Sequence, residues 1–334
     1  MSKPYDFVAI GDIVIDAFIE LSKDDADVSI DYDTGRKTLL MPFGDKLPYR
    51  DVTVVNAVGN SPNAAVSAHR LGLETALVTN LGHDSWGKDC LDTLRENGVH
   101  TDYVKVHEGK KTNYHYVLRY DAERTILINH EQYPYILPNF PVPPRYFYFS
   151  SIGEHGVDFH DEITAYVQKN ETKLVFQPGT FQIRLGYERL KDLYAITDIF
   201  FCNKEEAQSI LKTEEPDVPT LIRKFRELGP RLPVITDGPA GAYVVDEDDH
   251  AWHMPMYPDP APPVDRTGAG DSFSSTFTAA IALGHDPATA LTWGPVNSMN
   301  VVQHIGAQKG LLTRDQLLQL LDDRPDVYVA KQLD

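Results

Sequence analysis

The sequence predicts an α/β fold: one doubly wound, mostly parallel sheet with helices on both faces, and a small separate β-sheet made of distant segments. Three observations predict it. From Tyr146 onward, short apolar runs alternate with helical stretches, which is the rhythm of a parallel sheet. Residues 22–56 and 112–130 break that rhythm with strand-like runs that no helix follows. Polar residues able to handle ligands fall just past the apolar runs, where open α/β sheets bind.

Composition bounds the answer. The chain has 334 residues, 42% hydrophobic and 24% charged, ordinary for a globular protein and enough for a large core. A single domain over residues 1–334 is expected. A net charge of −18 argues against a nucleic-acid surface, which needs clustered Lys and Arg. The cysteines, Cys90 and Cys202, are too few for a disulfide scaffold, do not form a Cys-x-x-Cys zinc pair, and fit a reducing, cytoplasmic setting. Residues 1–6 hold no long apolar run and no stretch reaches the length of a membrane span. No membrane partner is expected.

Taken in order, residues 7–11 read as an apolar strand ending at Gly11, and 12–21 continue it. Residues 23–27 are acidic and solvated. Strands follow at 38–43 and 51–55, and a hairpin at 112–120 and 124–129 turns through 121–123. These patches, with boundaries near 13–21, 36–56 and 112–130, are expected to form the small sheet. A helix is expected over 65–71. Residues Gly82 to Lys88 have the glycine spacing of a phosphate loop, but Asp89 stands where a hydroxyl is required and Trp86 is bulky. That segment reads as a strand-to-helix turn. Later strands are expected at 147–150, 173–177, 199–202, 232–236 and 242–245. Helices are expected at 161–169, from 203, at 272–283 and at 288–302.

The most chemical stretch is Asp265-Arg266-Thr267-Gly268-Ala269-Gly270-Asp271. The small residues after it read as a buried helix. Its first N–H groups lack partners within the helix, and its dipole favours an anion. A carboxylate at Asp271 would repel a bound phosphate unless a hydroxyl lay between them, giving its proton to Asp271 while its oxygen attacked phosphorus. A lone Gly-x-Gly-Asp is more often an ordinary helix cap, and the full seven-residue stretch with the helix after it reverses that balance. Asp16, after the first strand, suits a vicinal diol or plain solvent. Asn60 and Asn63 suit ligand contact or helix capping. Asn203-x-x-Glu206 suits a ligand site or an N-cap with a first-turn Glu, and Thr236-Asp237-Gly238-x-x-Gly241 a ligand loop or a tight turn.

Over residues 8–317 these motifs together resemble the ribokinase (PfkB) family of sugar and nucleoside kinases. The resemblance implies a ribokinase-like fold whose small sheet lids the substrate. It implies ATP-dependent phosphorylation of a hydroxymethyl group on a small sugar. The alternative is a nucleoside of adenosine type, stacked on rings such as Phe18, Tyr114, Tyr116 and Tyr133. A non-catalytic sugar-binding regulator is a further alternative, against which Asp271 and the intact Gly-Ala-Gly count. By resemblance Asp271 is the general base, and Gly268, Ala269 and Gly270 form the anion hole. Asp16, Gly59, Asn60, Asn63 and Asn113 hold the substrate, and Asn203, Thr236, Gly238, Gly241 and Asn297 the nucleotide. Glu206 holds magnesium through water. Backbone carbonyls near Asp265, Thr267 and Gly306-Ala307 hold a monovalent cation, taken as K+. Arg266 stands where the family has Thr or Pro, and Val58 where it has Gly. A dinucleotide-binding dehydrogenase is excluded, because no strand-Gly-x-Gly-x-x-Gly-helix unit with a trailing acid is present. The exposed edges of the lid invite pairing of two copies into a homodimer.

Overall fold

Phe7, Val8, Ala9 and Ile10 are all buried, so the first strand, β1 (Phe7–Ile10), has no polar face. Phe7 and Ala9 enter one core layer, Val8 and Ile10 the other. A strand buried on both sides belongs inside a parallel sheet with helices on each face. The computed structural model places it there, and describes residues 3–22, 24, 26–32, 35, 37–120 and 123–333. Lys23 and Asp25 of the expected acidic loop, Arg36 at a lid boundary, and Asp121 and Ala122 of the expected turn lie outside the described residues.

The lid elements come next. β2 (Val14–Leu21) follows β1 after a short break, and β3 (Asp27–Ile30) pairs with β4 (Lys37–Leu40) as a separate antiparallel ribbon. β5 (Tyr49–Val58) runs into α1 (Asn60–Arg70). Then come β6 (Thr75–Gly82), α2 (Ser85–Glu96), β7 (Val104–His107), β8 (Tyr114–Tyr120) and β9 (Glu123–Leu127). The small sheet has the order β5-β2-β8-β9, with β2 antiparallel to β5 and parallel to β8. The expected 38–43 strand therefore stops at Leu40 and joins β3 rather than this sheet. The 51–55 strand extends to Val58 because Val58 pairs with Val14, which accounts for valine at that position. Alternation gives the sheet two faces. Asp16, Phe18, His115 and Val117 share the inner one. Ala17, Ile19, Val54, Tyr116 and Leu127 share the outer one.

The second half keeps the βα rhythm: β10 (Tyr146–Phe149), α3 (Phe159–Lys169), β11 (Lys173–Phe176), α4 (Thr180–Leu185), α5 (Tyr187–Ala195), β12 (Thr197–Asn203), α6 (Lys204–Leu211), α7 (Val218–Glu227) and β13 (Leu232–Thr236). β14 (Ala242–Val245) and β15 (Ala251–Met254) turn back antiparallel, then α8 (Ala269–Ala282), α9 (Pro287–Val301), α10 (Arg314–Asp322) and the edge strand β16 (Lys331–Leu333) complete the chain. The large sheet is ten-stranded, ordered β16-β15-β14-β13-β12-β11-β10-β1-β6-β7. β1 pairs with both β6 and β10, so the chain order reverses at β1. Such a switch point opens a crevice beyond the strand ends. Asp12 follows β1 there, and Gln177, Asn203 and Thr236 stand at the same ends of β11, β12 and β13. Among the described residues no helix is long and apolar enough to cross a membrane.

Candidate active site

Helix α8 is buried along nearly its whole length, which its run of Ala, Ser and Thr permits by letting α1 and α9 approach closely. It starts in a left-handed turn at Gly268, φ 82°, a conformation costly for any residue with a side chain. A Cβ there would also lie 2.3 Å from the Ala307 Cβ. The first internal helix bond is Ser272 N–H to the Gly268 carbonyl, so the N–H groups of Gly270 and Asp271 have no acceptor in the helix. The dipole makes this start a seat for an anion.

The Asp271 carboxylate is held by three amides. Asn60 Nδ2 donates to Oδ1 at 2.7 Å, Gln177 Nε2 to Oδ1 at 3.2 Å, and Asn63 Nδ2 to Oδ2 at 2.8 Å. Burial pushes its pKa up, and the hydrogen bonds from Asn63, Asn60 and Gln177 pull it back. Neutral amides orient the carboxylate without giving it a proton, so it stays able to accept one. Gln177 is fixed in turn, accepting from the Tyr148 hydroxyl and from Ser274 Oγ at 2.9 Å. Gln177 was not expected. Its position past β11 is the same signal that singled out Asn203 and Thr236.

Two further expectations change here. Asn63 is buried, with Nδ2 on Asp271 and Oδ1 accepting from Gln308 Nε2 at 3.0 Å. Its amide holds Asp271 and is held in turn by Gln308. Neither Asn60 nor Asn63 caps α1, which begins at Asn60 rather than 65 because Gly59 turns the chain with φ 122°. A Cβ on Gly59 would lie 2.7 Å from the Asp12 carbonyl. Asn113 is also corrected. It is buried, with Nδ2 donating to the Ile13 carbonyl at 3.2 Å and Oδ1 accepting from Glu131 N–H at 2.8 Å. It ties the lid root together, with one bond at each of its polar atoms. Asp16 lies on the inner lid face, with the ring of His115 beside it.

On the other side of the α8 start lies a cleft of about 310 Å³ lined by Thr236, Gly238, Gly241, Arg266, Gly270 and Met299, among others. Thr236 sits in register with Asn203 on the neighbouring strand. Arg266 lies on this lining, and across the cleft burial raises the pKa of Asp259 while the Arg266 charge pulls it part of the way back. Asn297 does not line the cleft. It is 0% exposed, its Nδ2 donates to Thr276 Oγ1 at 2.8 Å and its Oδ1 accepts from Leu312 N–H at 3.0 Å. Its neighbours Ser298 and Met299 face the cleft instead.

Asn203 and Glu206 cap α6 reciprocally. Glu206 N–H donates to Asn203 Oδ1 at 2.8 Å and Asn203 N–H to Glu206 Oε2 at 2.9 Å. Burial raises the pKa of Glu206, with a small push from Asp271. Lys204 Nζ lies 3.2 Å from Asp237 Oδ2 at the same rim. The Asp265 carboxylate is buried and accepts from Thr267 N–H, Thr267 Oγ1 and Gly306 N–H at 2.8–3.0 Å. Among the described residues no cationic side chain bonds to it. The Gly82–Lys88 segment is a strand-to-helix turn, with Asp84 accepting from Gly87 N–H at 2.7 Å.

A base beside an anion-binding helix start can take a proton from a hydroxyl as that hydroxyl attacks a bound phosphate. That is the act of a kinase for small alcohols. The model of the pfkB family of carbohydrate kinases matches residues 43–314, and the chain belongs to that family. It is a phosphotransferase acting on an alcohol group of a sugar or nucleoside. It is 27% identical over 296 residues to a ribokinase of Bacillus subtilis, covering 84% of this chain and 95% of the relative. Its fold matches the Arabidopsis thaliana ribokinase complexed with ribose and ATP, with a TM-score of 0.80, 21% identity, and 96% and 99% of the two chains covered. It also matches the Methanocaldococcus jannaschii nucleoside kinase, with a TM-score of 0.76, 16% identity, and 97% and 100% covered.

Proposed function

We propose that this protein transfers the γ-phosphoryl group of ATP to a hydroxymethyl group of a small neutral sugar. The carrying observation is the Asp271 carboxylate, held by three neutral amides at the start of α8, with the cleft on one side and the inner lid face on the other. In this reading Asp271 takes the proton of the acceptor hydroxyl, and the N–H groups at Gly268–Gly270 receive the γ-phosphoryl charge. Thr236, Gly238, Gly241 and Asn203 shape the nucleotide side, and Asp16 with Gly59 the acceptor side. Magnesium neutralises phosphate charge, and Glu206 fits it through water, since a cation nearby would offset the burial that raises its pKa. The buried Asp265 carboxylate, bonded to neutral donors only, suits a monovalent cation on adjacent carbonyls.

Ring placement favours a sugar over a nucleoside. Tyr116 faces outward on β8, Tyr114 packs against Trp86, and Tyr133 is buried with its hydroxyl on the Lys111 carbonyl. Of the four rings, Phe18 alone lies on the inner face. We further propose that two copies pair through the outer lid face, and that the protein works in the cytoplasm, as its two free, buried cysteines suit. A coupled assay with ATP, Mg2+ and separate pools of sugars and nucleosides tests the acceptor. Turnover with the sugar pool is expected. Turnover with nucleosides alone would overturn the sugar assignment.

A further inference from the structure

The acceptor side holds a chain of side chains that the transfer machinery leaves unused. Asp16 on β2 and His115 on β8 are direct partners in the lid sheet, and His115 Nδ1 lies 3.3 Å from Asp16 Oδ1. His115 Nε2 is 2.8 Å from Nε2 of His130. His130 Nδ1 lies 3.6 Å from Asp12 Oδ2, a charge contact rather than a hydrogen bond. Asp12 Oδ1 accepts from the Tyr135 hydroxyl at 2.7 Å. The two imidazole planes are 5° apart and their centroids 4.9 Å. That separation is close to the N···N distance plus the two ring radii. The rings therefore meet edge to edge in one plane, not face to face. Such a contact is an N–H···N bond and works with one proton. With two, N–H faces N–H; with none, lone pair faces lone pair. Each Nδ1 faces a carboxylate.

We propose that His115 and His130 are positioning residues of the acceptor site, joined edge to edge by an Nε2···Nε2 hydrogen bond so as to orient Asp16, with Asp12 completing the same wall. This rests on the sugar-kinase reading. Asp16 Oδ1 is a buried oxygen with no hydrogen bond, against which the His115 imidazole edge lies, and this leaves Oδ2 to accept from an acceptor hydroxyl. Among the described residues no Lys or Arg pairs with Asp12 or Asp16. The wall thus offers carboxylate acceptors, which suits an uncharged polyol and repels a phosphorylated or carboxylated acceptor. The titratable groups facing the imidazole pair are Asp16 from β2, Asp12 from the loop after β1, Tyr135 through Asp12, and Glu131 beside His130, which is tied to Lys110 at 3.1 Å.

Acceptor KM, read apart from kcat, tests the pair separately from Asp271, the base. His115→Ala should raise acceptor KM about tenfold or more with ATP KM unchanged, the scale of a lost polar contact at a buried carboxylate. His115→Asn, which keeps a polar edge beside Asp16, should recover part of it. His130→Ala should also raise acceptor KM, and His130→Gln, which keeps a donor and an acceptor for His115, should recover part of that, the change falling on KM rather than kcat. Acceptor KM within about twofold of wild type in both His115→Ala and His130→Ala would overturn the proposal. If no acceptor is phosphorylated at all, the sugar-kinase reading is what fails. The Nε2···Nε2 bond is then read in the intact protein from imidazole nitrogen-15 shifts. One N–H shared across the two Nε2 atoms is expected, and two rings with no such bond would overturn it.

Discussion

Asp271 carries the chemistry through a balance that its neighbours set. The carboxylate must be ionised to act as a base, burial disfavours that form, and three amide donors restore it. Asp271→Asn removes the base, so kcat is expected to fall roughly 10²–10⁴-fold, the usual worth of a general base. ATP KM should change little, because the cleft on the other side of α8 is untouched. Steady-state kinetics checks this, and a variant keeping more than about a tenth of kcat with chemistry rate-limiting would show that Asp271 is not the base. Gln177→Leu tests the balance itself. Losing one donor to Oδ1 raises the Asp271 pKa further. Activity requires the ionised form and is lost as pH falls through that pKa, so the acid limb of the kcat profile should move to higher pH. An unmoved limb would mean that Gln177 contributes nothing to the charged form.

At the scale of elements, the start of α8 and the lid do different work. The α8 start is rigid by construction. Gly268→Ala adds a Cβ in a left-handed conformation, costing roughly 1–2 kcal/mol, and drives it into Ala307, where overpacking costs about 1–3 kcal/mol. A loss of about 2–5 kcal/mol of stability is expected from urea unfolding, and no loss would mean the turn relaxes freely. The lid, in contrast, is a four-stranded sheet whose β9 is exposed along its length. An edge strand with so little burial opens at low cost. Amide exchange over residues 113–120 and 123–129 should slow when acceptor and a nucleotide analogue bind together. Exchange unchanged under saturation would count against closure.

For the molecule as a whole, the lid leaves one apolar face outside. Val54, Ala17, Tyr116 and Leu127 form one row across the four strands by register, and Val54, Tyr116 and Leu127 are 44%, 49% and 51% exposed. A contiguous apolar sheet face of this kind marks an association surface. The protein is expected to sediment as a dimer at micromolar concentration. Leu127→Lys, on an exposed strand, should shift it toward monomer without loss of fold. A wild type that stays monomeric over the whole accessible concentration range would overturn the proposed pairing.

Features that depend on neighbours along the chain are legible in the sequence. Runs of buried residues such as Phe7–Ile10 announce parallel strands, and the small residues after Asp265 announce a buried helix with an anion-binding start. The residues at strand ends, Asn203 and Thr236, are legible for the same reason. The tertiary structure alone decided where side chains point when the chain carries no periodicity to read. Helix α9 is apolar nearly all round, so nothing local distinguishes Asn297, which enters the core, from Ser298, which reaches the cleft. Asn60, Asn63 and Gln177 come from three separate elements to one carboxylate, and Asn113 is spent at the lid root. His115 meets Asp16 because two strands distant in sequence pair in one register. Which residues share that space is decided by packing and strand register, and those are properties of the folded chain.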